Sequence, residues 1–199
     1  MGKARVSSER RVAELALQLG RAAYGESSAE SLTPAQWMAL RFFARANRFS
    51  RTISAFADFH STTRGTASQT VKSLVERGYL TRTRSERDGR STTFNLTEKC
   101  RRKLAGDPFE AVVQAAFSLS PAQRDRTARG LRRILQKLAL ERDRPALGMC
   151  TLCGHLATGD GEGKFRCRLL REPLVAAELE QLCVHCKDCR GRREVVGRL

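Results

Sequence analysis

The stretch TASQTVKSLVERGYLTRTRSERDGRSTTFNLTEKCRRKL, residues 66–104, decides the fold. Its first part has apolar residues at helical spacing and reaches Gly78. A glycine at this position can adopt the left-handed conformation that ends many helices. The runs YLTRTRS and STTFNL that follow are rich in Thr and aromatic residues and are typical of strands. Asp88 and Gly89 between them favour a hairpin turn. The stretch therefore predicts a helix, a two-stranded hairpin and a further helix that Thr97 can cap.

The segment before this stretch completes a helix-turn-helix. TISAFADF (52–59) predicts a short helix, and the polar link HSTTRG separates it from the helix that begins near Arg64. A helix-turn-helix with a hairpin directly after it is a winged helix. Farther upstream, LTPAQWMALRFFARA predicts another helix, in which Thr33 is the cap and Gln36 completes a capping box.

Two outer helices are predicted to carry apolar seams. SERRVAELALQLGRAAY (8–24) has one apolar stripe. LSPAQRDRTARGLRRILQKLALERDR (119–144) repeats the Pro-x-Gln helix start of LTPAQ, with Ser120 as the cap. The seam residues are Val12, Leu15, Leu19 and Ala22 in the first helix, and Leu131, Ile134, Leu135 and Leu138 in the second. After the linker RDRPALG the composition changes to many Cys and Gly, which indicates a domain boundary near residue 146.

The charge of the chain favours a polyanionic partner. The 199 residues carry a net charge of +16 with a pI near 10.6, and most of the excess of Lys and Arg precedes residue 146. Nucleic acid is the commonest partner of such a surface. The N-terminal residues contain no apolar stretch, and no apolar run approaches the roughly 20 residues that span a bilayer. We therefore expect a cytoplasmic protein without a membrane partner.

The segments LTPAQWMALRFF, residues 66–104 and LSPAQRDRTARGLRRIL together resemble the MarR (multiple antibiotic resistance regulator) family. The resemblance covers about residues 8–142, and its most specific part runs from Leu74 to Thr97. It implies a dimeric winged-helix transcription factor in which the first and last helices of this region interleave between two chains. The predicted fold class is therefore mainly α, an α+β winged helix at 1–145 with a helical dimerisation region and a small Cys-rich annex at 146–199.

The resemblance implies that the helix from about Arg64 to Arg77 enters the major groove of double-stranded DNA. Arginine can read guanine, glutamine can read adenine, and hydroxyl groups can read either. Helix capping is the alternative role for the two hydroxyl residues, and phosphate contact is the alternative for the lysine. The predicted contact residues of this helix are Arg64, Thr66, Ser68, Gln69 and Lys72.

Two arginines at the hairpin tip are predicted DNA contacts as well. Arg87 and Arg90 flank the turn, where they can reach phosphates or the minor groove. Arg90 matches the wing arginine of the family, and Asp88 matches the acid that orients it. An aspartate facing DNA would repel phosphate, so its expected role is to fix the arginine and the turn.

Six of the seven cysteines lie in residues 150–189, and in a reducing compartment this clustering indicates a metal site. Two thiolates on one tight turn can bind a single ion without strain. The first ligand set is Cys150, Cys153, Cys167 and Cys183, and the alternatives pair Cys150 and Cys153 with Cys186 and Cys189 or with Cys183 and Cys186. Between Cys167 and Cys183 we predict a strand, then Pro173, then an amphipathic helix.

Zinc is the expected cofactor, because four thiolates suit its tetrahedral coordination, and an iron–sulfur cluster is the alternative. Cys100, outside the annex, is predicted to be a small buried residue, with a peroxide-sensing thiol as the alternative. His60 lies in the helix-turn-helix link and is predicted to contact the turn or a phosphate.

Three classes of function are compatible with these features. The first is a dimeric, sequence-specific transcriptional regulator, a repressor that responds to a small-molecule effector, a metal or a redox signal. The second is a thiol or metal redox enzyme, which the absence of a nucleotide fingerprint and of a thioredoxin-like strand–CxxC–helix pattern disfavours. The third is an architectural nucleic-acid-binding protein without an effector. We expect the first class and no enzymatic activity.

Overall fold

The computed structural model describes residues 7–24, 32–84, 91–142, 148–159 and 164–184. The first two thirds of the chain contain α1 (Ser8–Ala22), α2 (Pro34–Arg45), α3 (Ile53–Phe59), α4 (Arg64–Glu76), β1 (Leu80–Arg84), β2 (Thr92–Leu96), α5 (Glu98–Ala105), α6 (Phe109–Ala116) and α7 (Pro121–Glu141). The annex contains β3 (Gly148–Met149), β4 (Leu156–Thr158), β5 (Phe165–Cys167), β6 (Glu172–Leu174) and β7 (Leu182–Cys183), with 3-10 turns at Cys150–Leu152 and Ala176–Glu178.

Helices α3 and α4 followed by the β1–β2 hairpin form the predicted winged helix. The two strands are antiparallel, with Leu80 opposite Leu96 and Arg84 opposite Thr92. Gly78 after α4 has a φ of 71°, the left-handed conformation predicted for it. The hairpin turn predicted at Asp88 and Gly89 lies outside the described residues.

The helices begin where their local sequence predicts. In α2, the Thr33 hydroxyl accepts a hydrogen bond from the Gln36 backbone N–H at 3.2 Å, and the Gln36 side chain accepts one from the Thr33 N–H at 3.0 Å. Ser120 and Gln123 form the same reciprocal pair at the start of α7. Two backbone donors at each helix start are thereby satisfied, which fixes the residue at which each helix begins.

The core lies between α2, α3, α4 and the wing. Aromatic rings from three elements meet at its centre, where the Phe43 ring lies 5.9 Å from that of Phe56 and 5.7 Å from that of Phe94. These rings are held in edge or tilted contacts, which favour a unique packing over a loose one. The largest apolar residues that are completely buried are Leu40, Phe42, Phe43, Val71, Leu74, Leu80 and Phe94.

Helices α1, α6 and α7 have no buried residue in the single chain. Arg41 of α2 joins two of them to the core, because its guanidinium pairs with Asp107 and donates to the Ala23 carbonyl at 2.6 Å. The same guanidinium lies over the ring of Phe109, 5.1 Å from its centroid. The exposed large apolar side chains of the three helices are Val12, Leu15, Leu17, Leu19, Phe109, Phe117, Ile134, Leu135, Leu138 and Leu140.

The annex is built from small antiparallel pairings. Strands β4, β5 and β6 form one sheet, and β3 pairs with β7. The predicted amphipathic helix after Pro173 is wrong, because Pro173 lies within β6 opposite Arg166 and only a single 3-10 turn follows. Proline is tolerated there since β6 is an edge strand. The predicted domain boundary near residue 146 lies outside the described residues.

The annex packs on the winged helix through β7. Leu182 forms a parallel bridge with Ala46, and its carbonyl accepts a hydrogen bond from the Asn47 N–H at 2.9 Å. Leu182 and Val184 belong to the same buried cluster as the aromatic rings of α2 and α3. None of the described helices is long and apolar enough to span a bilayer.

Candidate nucleic-acid interface and cysteine cluster

Helix α4 starts at a threonine cap that the sequence analysis did not single out. The Thr63 hydroxyl accepts a hydrogen bond from the Thr66 backbone N–H at 3.1 Å, and the two hydroxyl groups are 2.9 Å apart. The Thr66 hydroxyl therefore contacts the capping hydroxyl of Thr63, and Thr66 itself is exposed. The sequence does contain a signal for this cap, because Thr63 ends a polar link and stands three residues before Thr66.

The five predicted contact residues all lie on the solvent side of α4. Its opposite side is buried, since Ala67, Val71 and Leu74 pack into the core. Lys72 approaches Glu76 at 3.8 Å, but both side chains are mostly exposed, so this pair stabilises the helix little and leaves the ammonium accessible. The exposed residues are Arg64, Thr66, Ser68, Gln69 and Lys72.

A polar network fixes the far end of α4 to the start of α2. The Gln36 amide donates to the Ser73 hydroxyl at 3.0 Å, and Arg77 donates to the Gln36 carbonyl oxygen at 3.0 Å. Because the Gln36 side chain also closes the capping box of α2, the two helices are tied together by one residue. The exposed face of α4 is thereby presented in a fixed orientation.

The wing carries cations that the sequence analysis passed over. Arg82 and Arg84 alternate with threonines along β1 and are exposed, and the Thr83 and Thr93 hydroxyls are 2.9 Å apart across the hairpin. Arg82 and Arg84 are two residues apart on a strand, and this spacing predicts that they share one face of the hairpin. Arg87 and Arg90, the predicted contacts at the tip, lie outside the described residues, so their assignment stays a prediction.

His60 is not placed to contact phosphate, and that part of its prediction is wrong. It follows α3, where its ring meets those of Phe42, Phe56 and Phe59 at centroid distances of 6.2, 4.9 and 4.8 Å. Burial lowers the pKa of His60 to about 4, although a hydrogen bond with the Met38 backbone acts in the opposite direction. Its Nε2 atom is buried without a partner, so the imidazole is neutral at physiological pH.

Cys100 is fully buried on α5, as predicted for a small core residue. Burial raises the pKa of its thiol to about 11, although the nearby Arg101 acts in the opposite direction. A peroxide-sensing cysteine needs an accessible thiolate, and neither condition is met here.

The first predicted ligand set converges on one small cavity. Four cysteines line it together with apolar side chains, namely Cys150, Cys153, Cys167 and Cys183 with Leu156, Leu169, Leu170 and Leu174. The pKa of Cys150 is raised to about 12, chiefly by burial and to a lesser degree by the charges of the other three cysteines and of Glu178. As the side chains stand, no three His, Cys, Asp or Glu residues of the described ranges are arranged to hold a metal ion. Cys186 and Cys189, the alternative ligands, lie outside those ranges.

Two cysteine sulfurs of this cavity accept backbone hydrogen bonds. The His155 N–H points at the Cys153 Sγ and the Leu170 N–H at the Cys167 Sγ, both at 3.5 Å. Each donor follows its cysteine by two or three residues, on the turn that presents the sulfur.

The annex holds the segment that leads from α2 into α3. Arg48 pairs with the buried Glu178 carboxylate at 2.5 Å and donates to the Pro173 carbonyl at 2.7 Å. The Val184 N–H donates to the Ser50 hydroxyl at 3.0 Å. Residues 46–52, which we call the α2–α3 segment, are therefore in contact with the annex immediately before the helix-turn-helix.

Comparison with known proteins agrees with this geometry. Residues 30–91 match the sequence model of the MarR family, a range that contains α2, the helix-turn-helix and β1. The match and the fold together support a MarR-like winged helix for this part of the chain. A search of curated proteins found no match.

Solved structures share the fold at low sequence identity. S. aureus MepR in its DNA-binding conformation has a TM-score of 0.58 and 17% identity over 67% of this chain and 99% of MepR. A MepR–DNA complex gives a TM-score of 0.55 and 16% identity over 66% of this chain and 96% of MepR. The transcriptional regulator SlyA has a TM-score of 0.50 and 19% identity over 68% of this chain and 96% of SlyA. About a third of this chain lies outside each alignment.

Proposed function

We propose that this chain is a homodimeric transcriptional regulator of the MarR family that recognises a specific sequence in double-stranded DNA. The observation that carries the proposal is the division of α4 into two sides. Its apolar residues are buried in the core, and its five residues capable of reading bases or holding phosphate are exposed on the other side. A side with hydroxyl, amide and guanidinium groups fits the donor and acceptor pattern of the major groove.

The wing supplies the second contact in this proposal. Arg82 and Arg84 extend the positive surface of α4 along β1, and Arg87 and Arg90 continue the sequence toward the tip. Contacts from arginines to the phosphate backbone of DNA set the position of the protein on the duplex and much of its affinity. Contacts from α4 to base edges set the sequence preference.

The dimer is supported by the unpartnered apolar residues of the outer helices. Leu15 of α1 and Leu135 of α7 are about half exposed in the single chain, in the seams predicted to interleave between two chains. A monomer that exposed them all would present an unusually large apolar surface. Two α4 helices related by a two-fold axis would read a palindromic site.

The regulator we propose acts in the cytoplasm as a repressor whose DNA affinity is changed by a small-molecule effector, a metal or a redox signal. An architectural protein is the second candidate, because the net charge alone would bind any duplex. A thiol oxidoreductase is less well supported, because Cys150 and Cys153 are buried and lie at a 3-10 turn that does not begin an α-helix.

Equilibrium titration separates the regulator from the architectural protein. The full chain is titrated against promoter-derived duplexes and scrambled duplexes of the same length and composition, at two salt concentrations. We expect at least about a thousandfold preference for one duplex over its scrambled form, in the usual range for specific regulators. Equal affinities for every duplex would refute the regulator and leave the architectural protein.

A further inference from the structure

We propose that the four cysteines lining the annex cavity bind one zinc ion as thiolates, and that this ion holds β7 against the α2–α3 segment. The four ligands are Cys150, Cys153, Cys167 and Cys183. This site goes beyond DNA binding, because it makes the annex a metal-binding unit that contacts the helix-turn-helix through the α2–α3 segment.

The convergence of the cysteines is the first argument. Cys150 and Cys153 lie at the ends of a 3-10 turn, Cys167 ends β5, and Cys183 ends β7. Chain segments 13 and 15 residues long separate them, counted along the sequence, and yet all four line one cavity. Folding at random would rarely collect four thiols and no other polar side chain at one point. Four sulfur donors are the ligand set that zinc and iron–sulfur centres use.

The backbone donors are the second argument. The N–H groups of His155 and Leu170 point at the sulfurs of Cys153 and Cys167. A neutral thiol is a weak acceptor and gains little from such donors, whereas a metal-bound thiolate gains a charge-assisted hydrogen bond. Donors aimed at ligand atoms also orient them, as is usual in metal centres.

The size of the cavity favours a single ion. Its volume is about 10 Å³, close to the smallest space that holds one water molecule. One zinc ion fits such a space, whereas a four-iron cluster would need the surrounding leucines to move outward. The thiols do not yet stand in ligand positions, so the ion must draw their side chains inward as it binds, and each thiol releases its proton to solvent.

The annex has little else to hold it together. Among its described residues, the buried apolar side chains other than the cysteines are Leu174, Leu182 and Val184, and the last two pack on the winged helix. So small a core does not stabilise a domain, and small domains of this kind depend on a metal or on disulfides. A metal joining the 3-10 turn, β5 and β7 would supply the missing cross-links.

The position of Cys183 connects the ion to the helix-turn-helix. Its neighbour Leu182 bonds to Asn47, and Val184 bonds to Ser50. Arg51, at the end of the same segment, accepts a hydrogen bond from Phe94 of the wing at 2.9 Å through its carbonyl. Zinc binding therefore fixes β7, β7 fixes the α2–α3 segment, and that segment touches both α3 and the wing.

Metal content of the full chain tests the site directly. Protein purified anaerobically with excess zinc, and then freed of loosely bound metal, is expected to contain one zinc per chain. Cys167→Ser and Cys183→Ser should lose that zinc, whereas Cys100→Ala, Cys186→Ser and Cys189→Ser should retain it. Wild-type protein without zinc, retention by the first two variants, or iron with acid-labile sulfide in place of zinc would each overturn the proposal.

Cobalt substitution gives a readout that does not depend on a variant folding. The visible bands of a tetrahedral cobalt thiolate should appear with one equivalent of Co²⁺ and disappear when zinc is added. An octahedral cobalt spectrum, or no spectral change, would exclude a four-thiolate site.

Hydrogen exchange tests the connection to the helix-turn-helix. Removal of zinc with a chelator should speed amide exchange at Asn47 and Val184 and weaken specific DNA binding roughly tenfold, and zinc should restore both. Unchanged exchange at these two amides would overturn the anchoring of β7. Specific DNA binding whose affinity does not change when zinc is removed would refute the coupling of the zinc site to the helix-turn-helix while leaving the proposed function intact.

Discussion

Gln69 is the residue of α4 best suited to distinguish one base from another. It is exposed, and its amide can bond to both polar atoms on the major-groove edge of adenine. We expect Gln69→Ala to weaken binding to the preferred duplex by about 1–3 kcal/mol while binding to scrambled duplexes changes little. Anisotropy titrations on both duplexes measure this difference. Equal losses on the two would show that Gln69 contacts only the backbone.

Lys72 is the residue of α4 best suited to phosphate. We expect Lys72→Ala to weaken binding to all duplexes alike. The loss of one phosphate contact should also reduce the slope of log K against the logarithm of the salt concentration by roughly one. Lys137→Ala is the matched control, since both lysines pair with a glutamate four residues later and both are over 70% exposed. A salt slope that Lys137→Ala changes as much as Lys72→Ala would contradict the phosphate contact.

His60 makes the stability of the winged helix depend on pH. Its pKa is about 4 in the folded chain, against about 6.5 in an unfolded chain. The unfolded state therefore binds more protons at this residue between these values. The contribution of His60 to the free energy of unfolding falls as the pH drops from about 6.5 to about 4 and is constant above that range.

The variant His60→Phe removes this titration and the unpartnered Nε2 atom. Urea denaturation over pH 4–7 should show a slope of stability against pH that is flatter by up to about one proton than in the wild type. An unchanged slope would place the acid sensitivity in other groups.

Strand β7 is the element that joins the annex to the winged helix. Leu182 is 8% exposed and packs in the common core, so Leu182→Ala should lower the free energy of unfolding by about 2–3 kcal/mol. Val175→Ala, at a position that is 60% exposed beside β6, is the control and should change it by less than about 0.5 kcal/mol. Chemical denaturation of the full chain measures both. A cost for Leu182→Ala no larger than that of the control would mean that β7 is not part of the core.

The elements differ in how far the sequence predicts them, and the difference is physical. The capping boxes at Thr33 and Ser120 and the left-handed Gly78 are local, so the residues that decide them are adjacent in the chain. The helix predicted after Pro173 failed because the segment is extended at both ends, where β6 pairs with β5 and β7 pairs with β3, and only a 3-10 turn lies between these strands. Pairing of this kind overrides a helical periodicity of a few residues.

Contacts between distant parts of the chain account for the other failures. His60 looked like a polar turn residue, and only the folded chain shows the three phenylalanine rings around it. The contact of Leu182 with Ala46 joins residues far apart in sequence, and no local pattern predicts it. The first cysteine set, by contrast, lines one cavity, as expected of residues predicted to share a site, although the bound metal stays a prediction.

The proposed palindromic recognition requires two copies of the chain, joined through α1 and α7. Leu135 lies in the exposed seam of α7, so Leu135→Glu would place a charge in the interface of the proposed dimer. We expect this variant to become monomeric at micromolar concentration and to lose specific DNA binding. Arg133→Glu replaces a positive charge with a negative one on the same helix, on the side away from the seam, and should stay dimeric. Light scattering distinguishes the two, and a dimeric Leu135→Glu protein would place the interface elsewhere.

Two α4 helices of the proposed dimer would read two half-sites on one duplex. Selection of bound sequences from a random duplex library by the full chain tests whether they do. We predict enrichment of an inverted repeat whose half-site centres are about one helical turn, roughly 34 Å, apart. Enrichment of a single asymmetric half-site, or no enrichment above the starting library, would contradict it.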